Sequence, residues 1–130
     1  AIAGVDIRLM VPRHADARLV ELAGMSYVHK VLEAGVVVCF YEDGFNHSKL
    51  LVCDDELCTC GSSNVDFRSF ENNFEANIFF YDHNMAMRMK QVFIDDLRHC
   101  TIVSNVDDLP RDSFLHRLLQ SLVRLVSPLM

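Results

Sequence analysis

The sequence lacks several features that would take it out of the class of ordinary globular proteins. No apolar run approaches the ~18 to 20 residues that a membrane-spanning helix requires, so we expect no membrane anchor within this chain. The five cysteines are an odd set without the spacing of a disulfide framework, which predicts a reducing compartment. No linker, repeat or low-complexity tract is present, and a composition that is 51% hydrophobic and 23% charged indicates a chain that folds.

Positive charge is also scarce. Lys and Arg number 12 against 18 Asp and Glu, which gives a formal net charge of −6. Nonspecific affinity for nucleic acid comes mainly from Lys and Arg side chains that displace counterions. The balance therefore disfavours a nucleic-acid substrate, although a local basic patch could still exist. The candidate contributors to such a patch are Lys49, Arg68, Arg88 and Lys90.

The length and the first residues indicate a single domain taken from a longer protein. A chain of 130 residues lies within the usual range for one domain, so we predict a single domain over residues 1–130. The chain begins at Ala1 without a methionine and runs at once into a strand pattern. We therefore expect it to be one part of a larger parent.

Hydrophobic periodicity predicts a sheet covered by helices. Alternation over residues 5–11 predicts a first strand that ends at Pro12, and helical spacing over about 16–34 predicts a helix between an Asp16 cap and Gly35. Further strands are predicted over 36–41, 47–53, 57–60 and 73–81, and further helices over 84–98 and from Asp112 onward. This order favours an α/β fold, a mixed sheet flanked by helices.

The segment from His47 to Asn64 has the form H-x-K-x4-D-x6-G-S-x-N. On a strand, His47 and Lys49 would point to the same side, so an imidazole and an ammonium could converge on one anion. Imidazole can act as nucleophile or proton donor near neutral pH, and lysine supplies a compact positive charge. Gly61 would let the backbone approach a ligand, while the Ser62 hydroxyl and the Asn64 amide would donate hydrogen bonds to it. The pattern predicts a site that handles phosphate.

A plainer interpretation competes with this one. A single histidine at the end of a strand is usually structural, and neighbouring serines usually belong to a turn. Here five residue types fall at fixed spacing, and we put coincidence at roughly one in twenty. The functional interpretation is therefore favoured.

The motif resembles the signature of the phospholipase D superfamily, and the resemblance extends from about Gly4 to Leu129. The runs that carry it are G-S-S-N-x-D-x-R-S-F at 61–70, N-F-E-A-N at 73–77 and S-P-L at 127–129. Together they are similar to the C-terminal half of the bacterial-type cardiolipin synthases. The resemblance implies a phospholipase D half-domain.

The resemblance also implies a role for each motif residue. The implied catalytic residues are His47, Lys49, Asn64 and Glu75, and the implied phosphate-binding residues are Ser62, Lys49 and Asn64. Glu75 matches a family glutamate that holds one nitrogen of the histidine ring so that the other faces phosphorus; without the family, a glutamate on a strand is most often simply solvated. Asp54 and Gly61 would be structural, and the acidic turn around Asp54 agrees with that interpretation.

In the family, two such motifs act together, one histidine forming a phosphohistidine and the other serving as general acid and then base. This chain has one motif, so the resemblance implies a partner: a missing N-terminal half or a second copy. The implied reaction is phosphatidyl transfer between two phosphatidylglycerol molecules, which gives cardiolipin. Because the N-terminal histidine is more often the nucleophile in the family, His47 is expected to be the acid. We expect the parent to work at the cytoplasmic side of the bacterial cell membrane.

We predict no cofactor and no metal. The cluster Cys53, Cys58 and Cys60 lacks a second spaced pair, so burial in the predicted strands is expected in place of metal binding. Two other functions stay open. One is a dimeric, single-motif phosphodiesterase or nuclease, which a basic cleft would favour; the other is a non-catalytic remnant, which an eroded motif would have indicated.

Overall fold

The computed structural model describes residues 1–14 and 18–109. Within them the chain forms two compact units, of which the first contains Ala1–Asn46 and resumes at His99, while the second is His47–Arg98. In the described part of the chain, no helix combines the length and the apolar character needed to cross a membrane. The predicted cap at Asp16 and the predicted helix from Asp112 lie outside the described residues.

The structure contains six strands and three α-helices in its described residues. In chain order these are β1 (Arg8–Pro12), α1 (Arg18–Glu33), β2 (Val37–Tyr41), β3 (Leu50–Cys53), β4 (Leu57–Gly61), α2 (Phe67–Glu71), β5 (Asn77–Tyr81), α3 (His83–Asp96) and β6 (Cys100–Val103). Short 3-10 turns follow α3 at Leu97–His99 and β6 at Val106–Asp108. The predicted α/β class is confirmed.

The first unit is built on a mixed sheet. Strand β2 is central, parallel to β1 and antiparallel to β6. Helix α1 connects the two parallel strands, which a crossover of this length allows, and packs on β2. The buried core consists of Val28, Leu32, Val38, Phe40, Val103 and Leu109. Apolar residues at helical spacing in α1 thus meet alternating apolar residues of the sheet.

Helix α1 ends where the sequence predicts. Gly35 adopts a positive φ of 85° and donates its N–H to the Leu32 carbonyl at 2.9 Å. The next N–H, from Val36, bonds back to the Val31 carbonyl at 2.9 Å. These two bonds form a Schellman motif, which satisfies carbonyls that the helix would leave open.

The second unit is built on an antiparallel sheet in the order β3-β4-β5. Helix α3 packs against β3 and β4, and the side chains of Cys58 and Ala86 are almost fully buried in this layer. Asp82 caps α3, because its carboxylate accepts the Met85 N–H at 2.7 Å. Strand β4 is therefore the central strand of this sheet, with β3 and β5 paired on either side and α3 packed against β3 and β4.

An acidic hairpin turn joins β3 to β4 and is fastened to α3. Asp54 and Asp55 both have positive φ, and the Glu56 N–H bonds the Cys53 carbonyl at 3.1 Å. Lys90 on α3 pairs with the Asp55 carboxylate at 2.6 Å. The turn that the sequence predicts at this position is confirmed.

In the second unit, two strands begin later than the sequence predicts. Strand β3 starts at Leu50 and β5 starts at Asn77, so His47, Lys49 and Glu75 lie in segments without regular secondary structure that precede the strands. The prediction that His47 and Lys49 sit on a strand is therefore wrong. Side-chain hydrogen bonds replace part of the regular strand pairing at this edge.

The pairing of the strands also differs from the expected single sheet. Six strands are divided between two sheets, because β2 pairs with the unpredicted strand β6 while β3 pairs with β4. The expected mixture of parallel and antiparallel pairing is found in the first sheet. Periodicity locates strands along the chain, but it does not determine which strands become neighbours.

The cysteines are only partly buried. Cys58 is buried as predicted, and Cys39 is buried as well, whereas Cys53 and Cys60 are exposed, so the prediction of burial is wrong for these two. Cys53 points to the face of the sheet opposite to Cys58. Cys60 shares its row with Ile78, which is 63% exposed, so α3 does not cover this end of the sheet.

Candidate active site

Three segments of the predicted motif meet at one end of the second sheet. Residues 47–49 precede β3, residues 62–64 follow β4, and residues 73–76 precede β5. Because these neighbouring strands are antiparallel, the start of β3, the end of β4 and the start of β5 lie at the same end of the sheet. Backbone bonds continue the pairing there, from Gly61 N–H to the Lys49 carbonyl at 3.3 Å and from Ser62 N–H to the Ala76 carbonyl at 3.0 Å.

His47 and Lys49 remain neighbours although they precede the strand. The Lys49 ammonium donates to the backbone carbonyl of His47 at 2.9 Å. The imidazole is exposed and Lys49 is half-buried. The structure thus places the Lys49 ammonium against the backbone of His47, and the His47 side chain is exposed at this end of the sheet.

Gly61 is required by the neighbouring strand. A Cβ atom on this residue would lie against the carbonyl oxygen of Ala76 and against Asn77, with the Asn77 Cα only 2.7 Å away. The glycine was expected to allow the backbone to approach a ligand. The structure shows that β5 occupies the space where its side chain would be.

Glu75 is held by hydroxyl and amide donors. The Ser62 hydroxyl donates to the carboxylate at 2.5 Å, and the Asn73 amide lies at 3.4 Å. Hydrogen bonds from Ser62, and then from Ser69, hold the pKa of Glu75 below its ordinary value, against the opposing effects of burial and of the like charge of Asp66. Glu75 is therefore an oriented anion at neutral pH.

Ser62, a predicted phosphate ligand, is engaged on both sides of its oxygen. Its hydroxyl donates to Glu75 and accepts the Ala76 N–H at 3.0 Å. Both the proton and a lone pair of this hydroxyl are thus used within the protein, and binding of phosphate by Ser62 stays a prediction. That Glu75 holds the His47 ring stays a prediction.

Ser69 was not predicted as a site residue, and the structure places it within the network. Its hydroxyl accepts the Asn64 N–H at 3.1 Å, and it is 7% exposed. Asp66 caps α2 by accepting the Ser69 N–H at 2.7 Å. The D-x-R-S run contained the signal, because an Asp three residues before a Ser is the spacing of a helix cap and its N3 position.

Asp54 does not join the other motif residues. Strand β3 begins at the site and ends at Cys53, so Asp54 lies in the hairpin turn at the opposite end of the strand. There the Cys53 thiol lies 3.4 Å from the Asp54 carboxylate. The structure thus separates Asp54 from His47, Lys49 and Asn64, in agreement with a structural interpretation.

Comparison with known proteins shows which family and which relatives the chain resembles. Residues 1–97 match the family described as "Cardiolipin synthase, PLD-like domain". Over all 130 residues the chain is 41% identical to a cardiolipin synthase of Clostridium perfringens (strain SM101), of which it covers 27%. It is 39% identical to a cardiolipin synthase of Geobacillus kaustophilus, covering 26%, and 41% identical to cardiolipin synthase 2 of Bacillus anthracis, covering 25%. The chain spans about a quarter of the length of these curated relatives.

Proposed function

Because this chain belongs to the PLD-like domain family of cardiolipin synthase, we propose that it supplies one half of the active site of a phospholipase D-type phosphatidyltransferase. In the proposed reaction, a histidine attacks the phosphorus of one phosphatidylglycerol and releases glycerol. The hydroxyl of a second phosphatidylglycerol then attacks the phosphohistidine. The products are cardiolipin, glycerol and the regenerated histidine.

The proposal is carried by one observation: the H-x-K, G-S-x-N and Glu75 segments meet at one end of the second sheet. Transfer of a phosphodiester needs a nucleophile, a proton donor for the leaving oxygen, and positive or hydrogen-bonding groups around phosphorus. An exposed imidazole, an adjacent ammonium and an oriented carboxylate supply most of these groups. Phosphate esters of lipids are the substrates that the names of the relatives indicate.

The residues divide the work as follows. His47 protonates the leaving glycerol oxygen and then takes the proton of the incoming hydroxyl, while Lys49 offsets the negative charge of the phosphate. Asn64 donates from its side-chain amide to a phosphate oxygen. Glu75 holds the imidazole in one orientation, as carboxylates do for catalytic histidines.

One histidine cannot serve as nucleophile and as acid in the same step. A second H-x-K segment must therefore complete the site, supplied by an N-terminal half of the parent or by a second copy. The substrate is a membrane lipid, so the parent works at the membrane surface, on its cytoplasmic side. The histidines and Lys49 provide the nucleophile, the proton and the charge, and no metal or cofactor takes part.

The test is alanine substitution in the complete enzyme, His47→Ala and Lys49→Ala, with cardiolipin and glycerol release measured on phosphatidylglycerol vesicles. Each is expected to lower turnover by about 10²-fold or more, the scale of lost acid–base help. Thermal unfolding should be unchanged, because neither side chain is buried. His14→Ala, an exposed histidine of the first unit, is the matched control and should keep full turnover.

Two outcomes would contradict the proposal. One is retention of more than a few per cent of turnover by a normally folded His47→Ala enzyme. The other is an enzyme that cleaves DNA and leaves phosphatidylglycerol intact, in which case a single-motif phosphodiesterase replaces the transferase.

A further inference from the structure

We propose that Ser69 is a positioning residue of this site, whose buried hydroxyl ties the loop that carries Asn64 to the segment that carries Glu75. The expected effect of Ser69 on turnover rests on the proposed function, whereas the hydrogen bonds of Ser69 are independent of it. Ser69 belongs to neither the H-x-K nor the G-S-x-N segment. It acts through the two residues that it holds.

Burial sets Ser69 apart from the other polar residues. Among the residues whose burial the structure describes, it is the only polar or charged one that is buried. A buried hydroxyl without partners would be unfavourable, so its hydrogen bonds have a structural reason to persist. Ser62, by contrast, is exposed and exchanges more readily with water.

The position of the hydroxyl is fixed from the backbone. The Asp66 carboxylate accepts the Ser69 N–H at 2.7 Å, and the Asp66 carbonyl accepts the Phe70 N–H at 3.2 Å. These bonds hold the first turn of α2 in place. The Ser69 oxygen then accepts the Asn64 N–H at 3.1 Å, which sets where the Asn64 side chain begins.

The hydroxyl proton is directed to the other segment. A serine oxygen that accepts one hydrogen bond can still donate one, and the lowered pKa of Glu75 indicates this carboxylate as the acceptor. The pKa of Glu75 is lowered first by the Ser62 hydroxyl and next by the Ser69 hydroxyl. Ser62 thus holds the carboxylate from the segment after β4, and Ser69 holds it from α2. Of these two serines, Ser69 is the one whose hydroxyl accepts the Asn64 N–H.

The test compares Ser69→Ala with Ser63→Ala in the complete enzyme. Ser63 is the nearby control, because its described bond, to the Asn77 side chain at 3.5 Å, uses the backbone N–H that alanine keeps. In Ser69→Ala, amide hydrogen exchange at Asn64 should accelerate. For phosphatidylglycerol, kcat should fall by roughly 10- to 100-fold, the range for groups that orient catalytic ligands, with little change in KM.

The pH profile separates positioning from a general loss of stability. Without the Ser69 donor the pKa of Glu75 rises, so the acid limb of kcat should move to higher pH, while Ser63→Ala should leave it in place. A folded Ser69→Ala enzyme with unchanged exchange at Asn64 would overturn the proposal. So would lower stability with an unmoved acid limb. If Ser69→Ala does not fold, Ser69→Cys decides by the same readouts, because a thiol of similar size is only a weak donor.

The positioning role of Ser69 can be tested separately from the proposed reaction. Hydrogen exchange at Asn64 reports the contact whatever reaction the enzyme performs. If His47→Ala shows the proposed transfer to be wrong, hydrogen exchange at Asn64 in Ser69→Ala still shows whether Ser69 holds Asn64.

Discussion

Glu75 carries its charge because two serine hydroxyls donate to it. The carboxylate is partly exposed, and its hydrogen-bond donors favour the ionised form against the opposing effect of burial. An ionised, oriented carboxylate can accept a hydrogen bond from an imidazole N–H, whereas a protonated carboxyl group would itself be a donor. The charge state of this one residue is thus linked to the orientation of its neighbours.

We expect Glu75→Gln to lower kcat for phosphatidyl transfer more than it weakens lipid binding, because the change affects orientation and leaves the phosphate-binding cations in place. Since folding lowers the pKa of Glu75, the stability from this carboxylate is present above its ordinary pKa and is lost as pH falls through the lowered value. The difference in Tm between the parent enzyme and Glu75→Gln should therefore shrink in acid. Glu71→Gln, at an exposed glutamate of α2, is the matched control. A pure binding defect in Glu75→Gln would contradict the assignment.

At the scale of elements, the site depends on how closely β4 and β5 approach. Gly61 is paired with Asn77, and no side chain fits between the two strands at this point. A larger residue would push β5 away and move the Ser62 and Glu75 segments apart. The geometry of the site is therefore set by a strand contact as well as by polar bonds.

Gly61→Ala should destabilise the protein by about 1–3 kcal/mol, the usual cost of overpacking, and should lower turnover at the same time. The measurement is the midpoint of chemical or thermal unfolding beside cardiolipin formation. Gly24→Ala in α1 is the control, because an added Cβ there meets nothing within 4 Å and alanine favours a helix by roughly 0.5–1 kcal/mol. Equal stability of the two variants would contradict this prediction, because it would show that β5 moves to accommodate a side chain at position 61 without a free-energy cost.

Periodicity was sufficient for the long elements and insufficient for the short ones. Helices α1 and α3 were predicted close to their bounds because each spans several turns with a clear stop or cap. Helix α2 has five residues, too few for a periodic signal, and the pairing of β6 with β2 depends on contacts distant in sequence. The starts of β3 and β5 were misplaced because polar side chains bond the backbone just before them: the Lys49 ammonium donates to the His47 carbonyl, and the Ser62 hydroxyl accepts the Ala76 N–H.

For the whole molecule, sequence alone located most of the candidate site but not its support. The spacing of the motif was enough to predict one site for His47, Lys49 and the Gly61 to Asn64 run, although His47 and Lys49 precede the strand on which they were expected. The role of Ser69 could not be predicted, because the burial of one hydroxyl results from the packing of several segments. Site residues follow from motif chemistry, whereas the residues that hold them follow from the fold.

The molecule also exposes apolar side chains close to the site. Val65, Phe70 and Phe74 are 78%, 67% and 107% exposed, and they lie within ten residues of Asn64 or Glu75. Large exposed apolar groups around a polar centre are typical of surfaces that contact another chain or segment. Under the proposed function, the second half of the active site covers them.

The 130-residue chain by itself is therefore expected to be inactive on phosphatidylglycerol vesicles and to self-associate. With one H-x-K segment, a monomer can offer a nucleophile or a proton donor, but not both, and losing either member of a site that acts as a unit removes most of the rate. Activity should return when an N-terminal half carrying its own H-x-K segment is added, and it should stay absent when that half carries His→Ala. The measurements are cardiolipin formation and sizing in solution, with His47→Ala in this chain as the paired control. Full turnover by a monomer of this chain would contradict the requirement for a second half, whereas an active homodimer would show that a second copy supplies it.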